Sequence, residues 1–321
     1  MAARLQPPFR SLSMENYIGR GSAGQVYAIS PSVVFKCPIQ FVNPAPAQAE
    51  EMAESNKKMD HEKEIHRMLQ VCRHANIIHS VLCVDEGLFM QRLHTTLECR
   101  ILQSRHAHDR PFHSRWITQI ASGLAWLENL GYAHGDLRPA NILLNQEEDL
   151  FLADFDSSVK LGDPLLVMSE PFCKSQVGFE IPKASSKSEQ FALGSCFYNI
   201  RWGHIPFHDL DPPTRVRKVM RNEFPSTSTD ALFGDLIQSC WQGTFESINN
   251  ITNDVLPGLL SLDVAKDRNI DGAERLQALL VAECNDFLAR ERHTSNELSS
   301  STAARATSSK TDGRVDSARQ A

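Results

Sequence analysis

The fold is decided by the stretch His134-Gly135-Asp136-Leu137-Arg138-Pro139-Ala140-Asn141, which a short apolar run joins to Asp154-Phe155-Asp156. Phosphoryl transfer depends mainly on positioning and charge neutralisation. It needs a metal-binding Asp, a second metal ligand such as Asn, and an Asp directed at the nucleophile. The order of Asp136, Asn141 and Asp154 along the chain fits these three roles. Taken alone, a polar loop capped by Asp and Asn would explain the same residues.

Length and composition limit the classes of protein that fit. The chain has 321 residues, is 41% hydrophobic and carries a net charge of -6, which is long enough for two lobes with a core in each. Without a general basic surface, we expect no nucleic-acid partner. No apolar run reaches the roughly 18 residues of a membrane helix, so we expect no membrane partner. The scattered cysteines favour an intracellular protein, cytoplasmic or nuclear. The sequence leaves its oligomeric state unknown.

A glycine-rich hairpin is predicted near the N-terminus. Gly19, Gly21 and Gly24 form a G-x-G-x-x-G pattern, with Val26 two residues later. The chain then reads as strand, turn and strand, whereas the dinucleotide-binding fold would open a helix here. Without Cβ atoms, such a hairpin lets backbone amides approach phosphate oxygens closely. Lys36 is a single cation among apolar residues on the second strand.

A helix is predicted after a polar loop that starts near residue 43. Its apolar residues recur at helical spacing up to Val71. Glu64 lies next to this apolar stripe and could pair with Lys36, while Glu62 is a rival partner. Further strand-like segments then lead to 91–94, which we interpret as the connection between the lobes.

Three parts of the chain are predicted. Residues 1–13 form an N-terminal extension, and 14–292 a domain with an N-lobe of about 14–92 and a C-lobe of about 93–292. Residues 293–321 are rich in Ser, Thr and charged side chains, and we expect a disordered tail. The stretch from Glu274 to Arg292 carries an apolar stripe, which either packs on the domain or binds a partner.

The order and spacing of these motifs resemble a eukaryotic protein kinase domain, from about Tyr17 to about Leu262. The resemblance implies an α+β fold with two lobes, a small β-rich N-lobe and a larger helical C-lobe. It implies ATP and Mg²⁺ as cofactors. It also implies transfer of the γ-phosphoryl group to a protein substrate, at a hydroxyl of the Ser/Thr type.

The resemblance also assigns roles to individual residues. Asp136 corresponds to the catalytic base, Arg138 would steady the γ-phosphoryl group, and Lys36, held by Glu64, would orient the α and β phosphates. The implied metal ligands are Asn141 and Asp154. The implied nucleotide-binding residues are Gly19, Gly21, Gly24, Val26, Lys36, Met90, Gln91 and Leu93.

Several motif positions depart from the family pattern. Gly135 replaces the Arg of H-R-D, Asp156 replaces the Gly of D-F-G, and Glu189 stands where an Asp is usual. The A-P-E triplet is not recognisable; the nearest candidate is 178–180. These changes suggest a pseudokinase scaffold that binds nucleotide without turnover. The H-G-D-x-x-x-x-N pattern also resembles small-molecule phosphotransferases. Because every charged member of the catalytic set is retained, we predict an active protein kinase.

Overall fold

The computed structural model describes residues 4–103, 110–174, 180–259 and 275–292. The predicted tail, 293–321, lies outside these residues. The strands are β1 (Arg4–Leu5), β2 (Tyr17–Arg20), β3 (Gln25–Ala28), β4 (Val33–Cys37), β5 (Phe41–Val42), β6 (Ser80–Val84), β7 (Gly87–Gln91), β8 (Thr95–Thr96), β9 (Tyr132–Ala133), β10 (Ile142–Leu144), β11 (Leu150–Leu152) and β12 (Val159–Lys160). The helices are α1 (Pro46–Val71), α2 (Leu97–Gln103), α3 (Arg110–Asn129), α4 (Ser186–Trp202), α5 (Pro212–Met220), α6 (Gly234–Gln242), α7 (Ile248–Asn250), α8 (Leu256–Leu259) and α9 (275–292).

The smaller lobe is built on an antiparallel sheet with the strand order β2-β3-β4-β7-β6. Successive side chains of a strand point to opposite faces of the sheet, and β4 has functionally different residues on its two faces. Val33, Phe35 and Cys37 enter an apolar core on the outer face of the sheet. Lys36 lies on the other face, which α1 covers. The sheet therefore directs one charged side chain toward the cleft between the lobes.

The larger lobe is mainly helical, and α3 is its central element. Trp116, Ile120 and Leu124 recur at helical spacing on α3 and are buried in the core that α4 and α6 share. The loop predicted to be catalytic connects β9 to β10, and Asp154 follows two residues after β11. The strand-rich and helical parts confirm the predicted α+β class. None of the described helices is long and apolar enough to cross a membrane.

Helix α9 packs on the outer face of the small-lobe sheet. Its residues Leu280, Cys284 and Phe287 join the same core as the odd-numbered residues of β4. The ring of Phe9 lies 5.2 Å from that of Phe287, and the Glu291 carboxylate accepts backbone hydrogen bonds from residues 10 and 11. The described part of the apolar stripe, 275–292, therefore packs on the domain. Although sequence placed this segment in the C-lobe, its buried face belongs to the core of the smaller lobe.

Candidate active site

Glu189 anchors the loop that follows β9. It lies in the first turn of α4, is buried, and accepts hydrogen bonds from the backbone N–H groups of His134 (2.8 Å) and Gly135 (3.4 Å). Burial raises the pKa of Glu189 to about 7, although these two hydrogen bonds favour the charged form. The longer Glu thus still reaches the loop from a position where the family has an Asp.

The backbone at Gly135 explains why no Arg stands there. Its φ of +79° lies in the left-handed region, which residues with a side chain rarely adopt. A Cβ atom at this position would also lie 2.2 Å from the carbonyl oxygen of Ser157. At this turn, the backbone of the loop that follows β9 contacts the backbone of the segment that follows Asp154. The arginine of the H-R-D pattern would not fit this geometry.

Asp136 has one carboxylate oxygen held and the other unpaired. Its Oδ2 accepts from Arg138 Nε at 3.2 Å and from Asn141 Nδ2 at 2.9 Å. Its Oδ1 is buried and has no hydrogen-bond partner among the described residues. Asp136 also lines a small cavity together with Ser188. Because a buried acceptor without a donor is unfavourable, Oδ1 is suited to receive a proton donor from a bound molecule.

Lys36 lies between two carboxylates. Its Nζ is 2.7 Å from the carboxylate of Glu62 and 2.5 Å from Asp154 Oδ1. Burial acts to lower the pKa of Lys36, but the two carboxylates outweigh it and raise the pKa. Burial raises the pKa of Glu62, and the Lys36 ammonium opposes that rise. Lys36 is therefore a charged, fixed donor at the floor of the cleft.

The prediction that Glu64 pairs with Lys36 is wrong. Glu64 is exposed on α1, whereas Glu62 is buried. Glu62 precedes the buried Ile65 by three residues and the buried Leu69 by seven, so all three share one helix face. Glu64 points away from this face. Counting helical spacing back from Ile65 and Leu69 would have selected Glu62 from sequence alone.

The turn Asp154-Phe155-Asp156, called the D-F-D turn below, contacts both lobes. The ring of Phe155 lies 5.6 Å from that of His66 on α1 and 5.3 Å from that of His134. Sequence reasoning missed His66, although it follows Glu62 by one helical turn. Asp156 is buried and accepts a hydrogen bond from Ser22 Oγ at 3.3 Å. The residue that replaces the family glycine therefore connects the turn to the glycine-rich hairpin.

Of the predicted nucleotide-binding residues, Val26, Lys36 and Met90 lie on the face of the small-lobe sheet that α1 covers, whereas Gln91 pairs with Val33 of the outer face. Val26 is the cross-strand partner of Lys36, so the two share a face. Gly21 N–H donates to the Gly24 carbonyl at 2.9 Å and closes the hairpin that carries Gly19. The register pairs Met90 with Val34 and Gln91 with Val33, and both Met90 and Leu93 pack against the core of the larger lobe.

Oxygen ligands for a divalent cation are present near Lys36. Mg²⁺ is typically held by one or two carboxylates together with substrate phosphates and waters. Asp154 supplies a carboxylate; Asn141 donates through Nδ2 and retains Oδ1 as a possible ligand. Glu62 and Asp154 contact the single Lys36 ammonium, and Asp156 lies close enough to Glu62 to raise the pKa of that carboxyl, so a bound cation would offset excess negative charge here. No group of three or more potential metal ligands is preassembled in the described part of the chain. The residues therefore fit a metal that arrives with a phosphate.

Comparison with known proteins gave consistent matches. The family model described as "Protein kinase domain" matches residues 12–294. The chain is 24% identical over 247 residues to mitogen-activated protein kinase kinase kinase 13 of Mus musculus, which covers 73% of this chain and 24% of that protein. It is 28% identical over 109 residues to cell division control protein 7 of Schizosaccharomyces pombe, covering 33% of this chain and 10% of that protein.

A third relative is a probable serine/threonine-protein kinase of Dictyostelium discoideum. It is 27% identical over 119 residues, covering 36% of this chain and 24% of that protein. The matched regions thus span about a quarter or less of each of these three relatives.

Proposed function

This chain belongs to the protein kinase family, and we propose that it is an active kinase that uses ATP and magnesium to phosphorylate serine or threonine in proteins. The observation that carries the proposal is the state of Asp136. One oxygen of its carboxylate is held by Arg138 and Asn141, while the other is buried and unpaired. A general base needs an acceptor atom within hydrogen-bond reach of the proton that it takes.

The catalytic residues act by positioning and by charge. As the oxygen of the substrate hydroxyl attacks the γ-phosphorus of ATP, Asp136 Oδ1 accepts the hydroxyl proton, and the bond between the γ-phosphorus and the β,γ-bridging oxygen breaks to release ADP. Arg138 stabilises negative charge on the transferred group, and Lys36 binds the α and β phosphates in the orientation that Glu62 gives it. Asp154 and Asn141 would hold magnesium, which neutralises phosphate charge when bound.

The retained geometry favours an active enzyme over a pseudokinase scaffold. Asp156 in the D-F-D turn is accommodated by hydrogen bonds from Ser22 and Ser157. This leaves the Lys36 contacts with Glu62 and Asp154 intact. The missing H-R-D arginine is likewise explained by the backbone at Gly135. The variant motifs are thus compatible with an assembled site.

Transfer of labelled γ-phosphate from ATP tests the proposal. Purified protein would be incubated with a generic protein substrate, with magnesium or with excess chelator, and the product hydrolysed to identify the phosphorylated amino acid. We expect phosphoserine or phosphothreonine only when magnesium is present. Phosphotyrosine would contradict the acceptor type. Label on choline or an aminoglycoside, with none on protein, would contradict the protein-kinase assignment and favour a small-molecule phosphotransferase.

A further inference from the structure

A groove of about 420 Å³ lies in the larger lobe, near the start of α4. One wall comes from the segment that follows the D-F-D turn, including Lys174. The other comes from residues just before and within the first turn of α4, including Lys183 and Lys187. Trp241 of α6 lies at its apolar base, and the methylene stem of Lys187 passes over Gly243.

The groove adjoins the small cavity that Asp136 lines, because the two have wall residues in common. Cys173 and Ser188 contribute to both. A peptide whose hydroxyl reached Asp136 would therefore have its flanking residues close to the groove wall. This position suits a subsite for the residues that flank the acceptor, outside the nucleotide cleft.

The charged side chains that line the groove are all positive. Three lysines line it, and no Asp or Glu does so among the described residues. Lys183 and Lys187 are exposed and form no ion pair with any residue in the described ranges, whereas Lys174 donates to Asn222. Partial burial lowers the pKa of Lys174, which indicates an ammonium that an anion would stabilise. This local positive charge contrasts with the net charge of -6 of the whole chain.

We propose that this groove binds an acidic group flanking the acceptor residue of the protein substrate. The ligand is an anionic side chain, either the carboxylate of Asp or Glu or the phosphate of a residue phosphorylated beforehand. Lysine ammonium groups bind both as compact charges with several donors. The enzyme would then prefer acidic sequences. The inference deepens the proposed function and rests on it.

Binding tests the groove without requiring catalysis. Three fluorescent peptides, each with Ala in place of the acceptor, would carry Asp, phosphoserine or only Ala as flanking residues, and anisotropy would give their dissociation constants. The groove variant is Lys183→Ala/Lys187→Ala, both at exposed positions. The matched control, Lys57→Ala/Lys58→Ala, removes the same charge from α1 in the smaller lobe.

We expect the anionic peptides to bind about tenfold more tightly than the Ala peptide, since two or three partly exposed charge pairs together contribute modestly to affinity. The preference should disappear in the groove variant, persist in the control, and weaken at high salt. The relative affinity of the Asp and phosphoserine peptides identifies which anion is bound. Equal binding of all three peptides, or a preference that survives in the groove variant, would overturn the proposal.

Transfer assays separate this inference from the proposed function. With Ser acceptors restored, kcat/KM for the anionic peptides should fall about tenfold in the groove variant, mainly through KM, while the Ala-flanked peptide is unaffected. Transfer without any acidic preference would refute the groove alone. Tight, lysine-dependent binding of acidic peptides without any transfer would support the groove and refute the proposed activity.

Discussion

Replacement of Glu62 by Gln should lower catalysis strongly, whereas the same change at Glu64 should not. Glu62→Gln keeps the size of the side chain and removes the charge 2.7 Å from Lys36 Nζ. The side chains of this pair are only 1% and 10% exposed, so solvent screens them weakly. Glu64→Gln is the matched control because it makes the same chemical change two residues away, at an exposed site.

The magnitude follows from the geometry of the pair. Two unit charges at this separation attract by about 6 kcal/mol at an effective dielectric constant of about 20. Desolvation of the two buried groups offsets much of this attraction. Removing one preorganised electrostatic contact typically lowers the rate by about 10²–10³-fold. We therefore expect kcat/KM for ATP to fall about 100-fold, or about 2.7 kcal/mol in activation free energy.

Initial rates of γ-phosphate transfer over a range of ATP concentrations measure this effect. Lys36 would still contact Asp154 in the Glu62→Gln protein, so the lysine would no longer be held from both sides. Thermal melts of both variants check that the fold is retained. Wild-type kinetics in a folded Glu62→Gln protein, or a large loss in Glu64→Gln, would refute the assignment of Glu62 as the residue that positions Lys36.

Three further predictions concern the elements that support the site. Phe287→Ala should destabilise the smaller lobe by about 3 kcal/mol, because a buried ring is removed, whereas Leu279→Ala at an exposed position should leave the melting temperature unchanged. For Glu189, whose pKa is raised to about 7, protonation favours the folded state at low pH. Urea unfolding gives the free energy of unfolding of the wild type and of Glu189→Gln at each pH. The wild-type value minus the Glu189→Gln value should therefore fall by about 2 kcal/mol between pH 5.5 and pH 7.5. A difference that stays constant over this range would contradict the raised pKa. Gly135→Ala should lower the free energy of unfolding by about 3 kcal/mol. Gly131 has a similar φ but open space where a Cβ would lie, so Gly131→Ala should lower it by only about 1 kcal/mol. Equal losses in the two variants would argue against the clash with Ser157.

The fold class and the catalytic loop could be predicted from sequence because they depend on local patterns. The spacing of the glycines, the position of Lys36 on a strand and the order of Asp136, Asn141 and Asp154 are all short-range features. The structure brings Lys36 and Asp154 into direct contact across 118 positions of the chain. The roles assigned to these residues in ATP binding, metal binding and proton transfer remain predictions.

Other features depend on long-range packing that a single sequence does not encode locally. The stripe of 274–292 indicated a helix face, but only tertiary structure shows that it covers the small-lobe sheet beside Phe9. The hydrogen bond of Asp156 could likewise be found only from the fold, since its partner Ser22 lies in the other lobe. Glu62 is different, because helical spacing alone could have identified it as the partner of Lys36. Glu64 was preferred because it is also an acidic residue next to the apolar stripe. The glycine at position 135, where the family has Arg, is explained by its positive φ and by the close approach of the Ser157 carbonyl, and both are features of the folded chain.

The most direct test of the central claim compares the wild type with Asp136→Asn. Labelled γ-phosphate transfer and the affinity for ATP with magnesium would be measured on both proteins. Since Asp136 acts on the acceptor hydroxyl while Lys36 and the hairpin bind the nucleotide, the account predicts that Asp136→Asn abolishes transfer and leaves nucleotide affinity nearly unchanged. Full transfer by Asp136→Asn would contradict it.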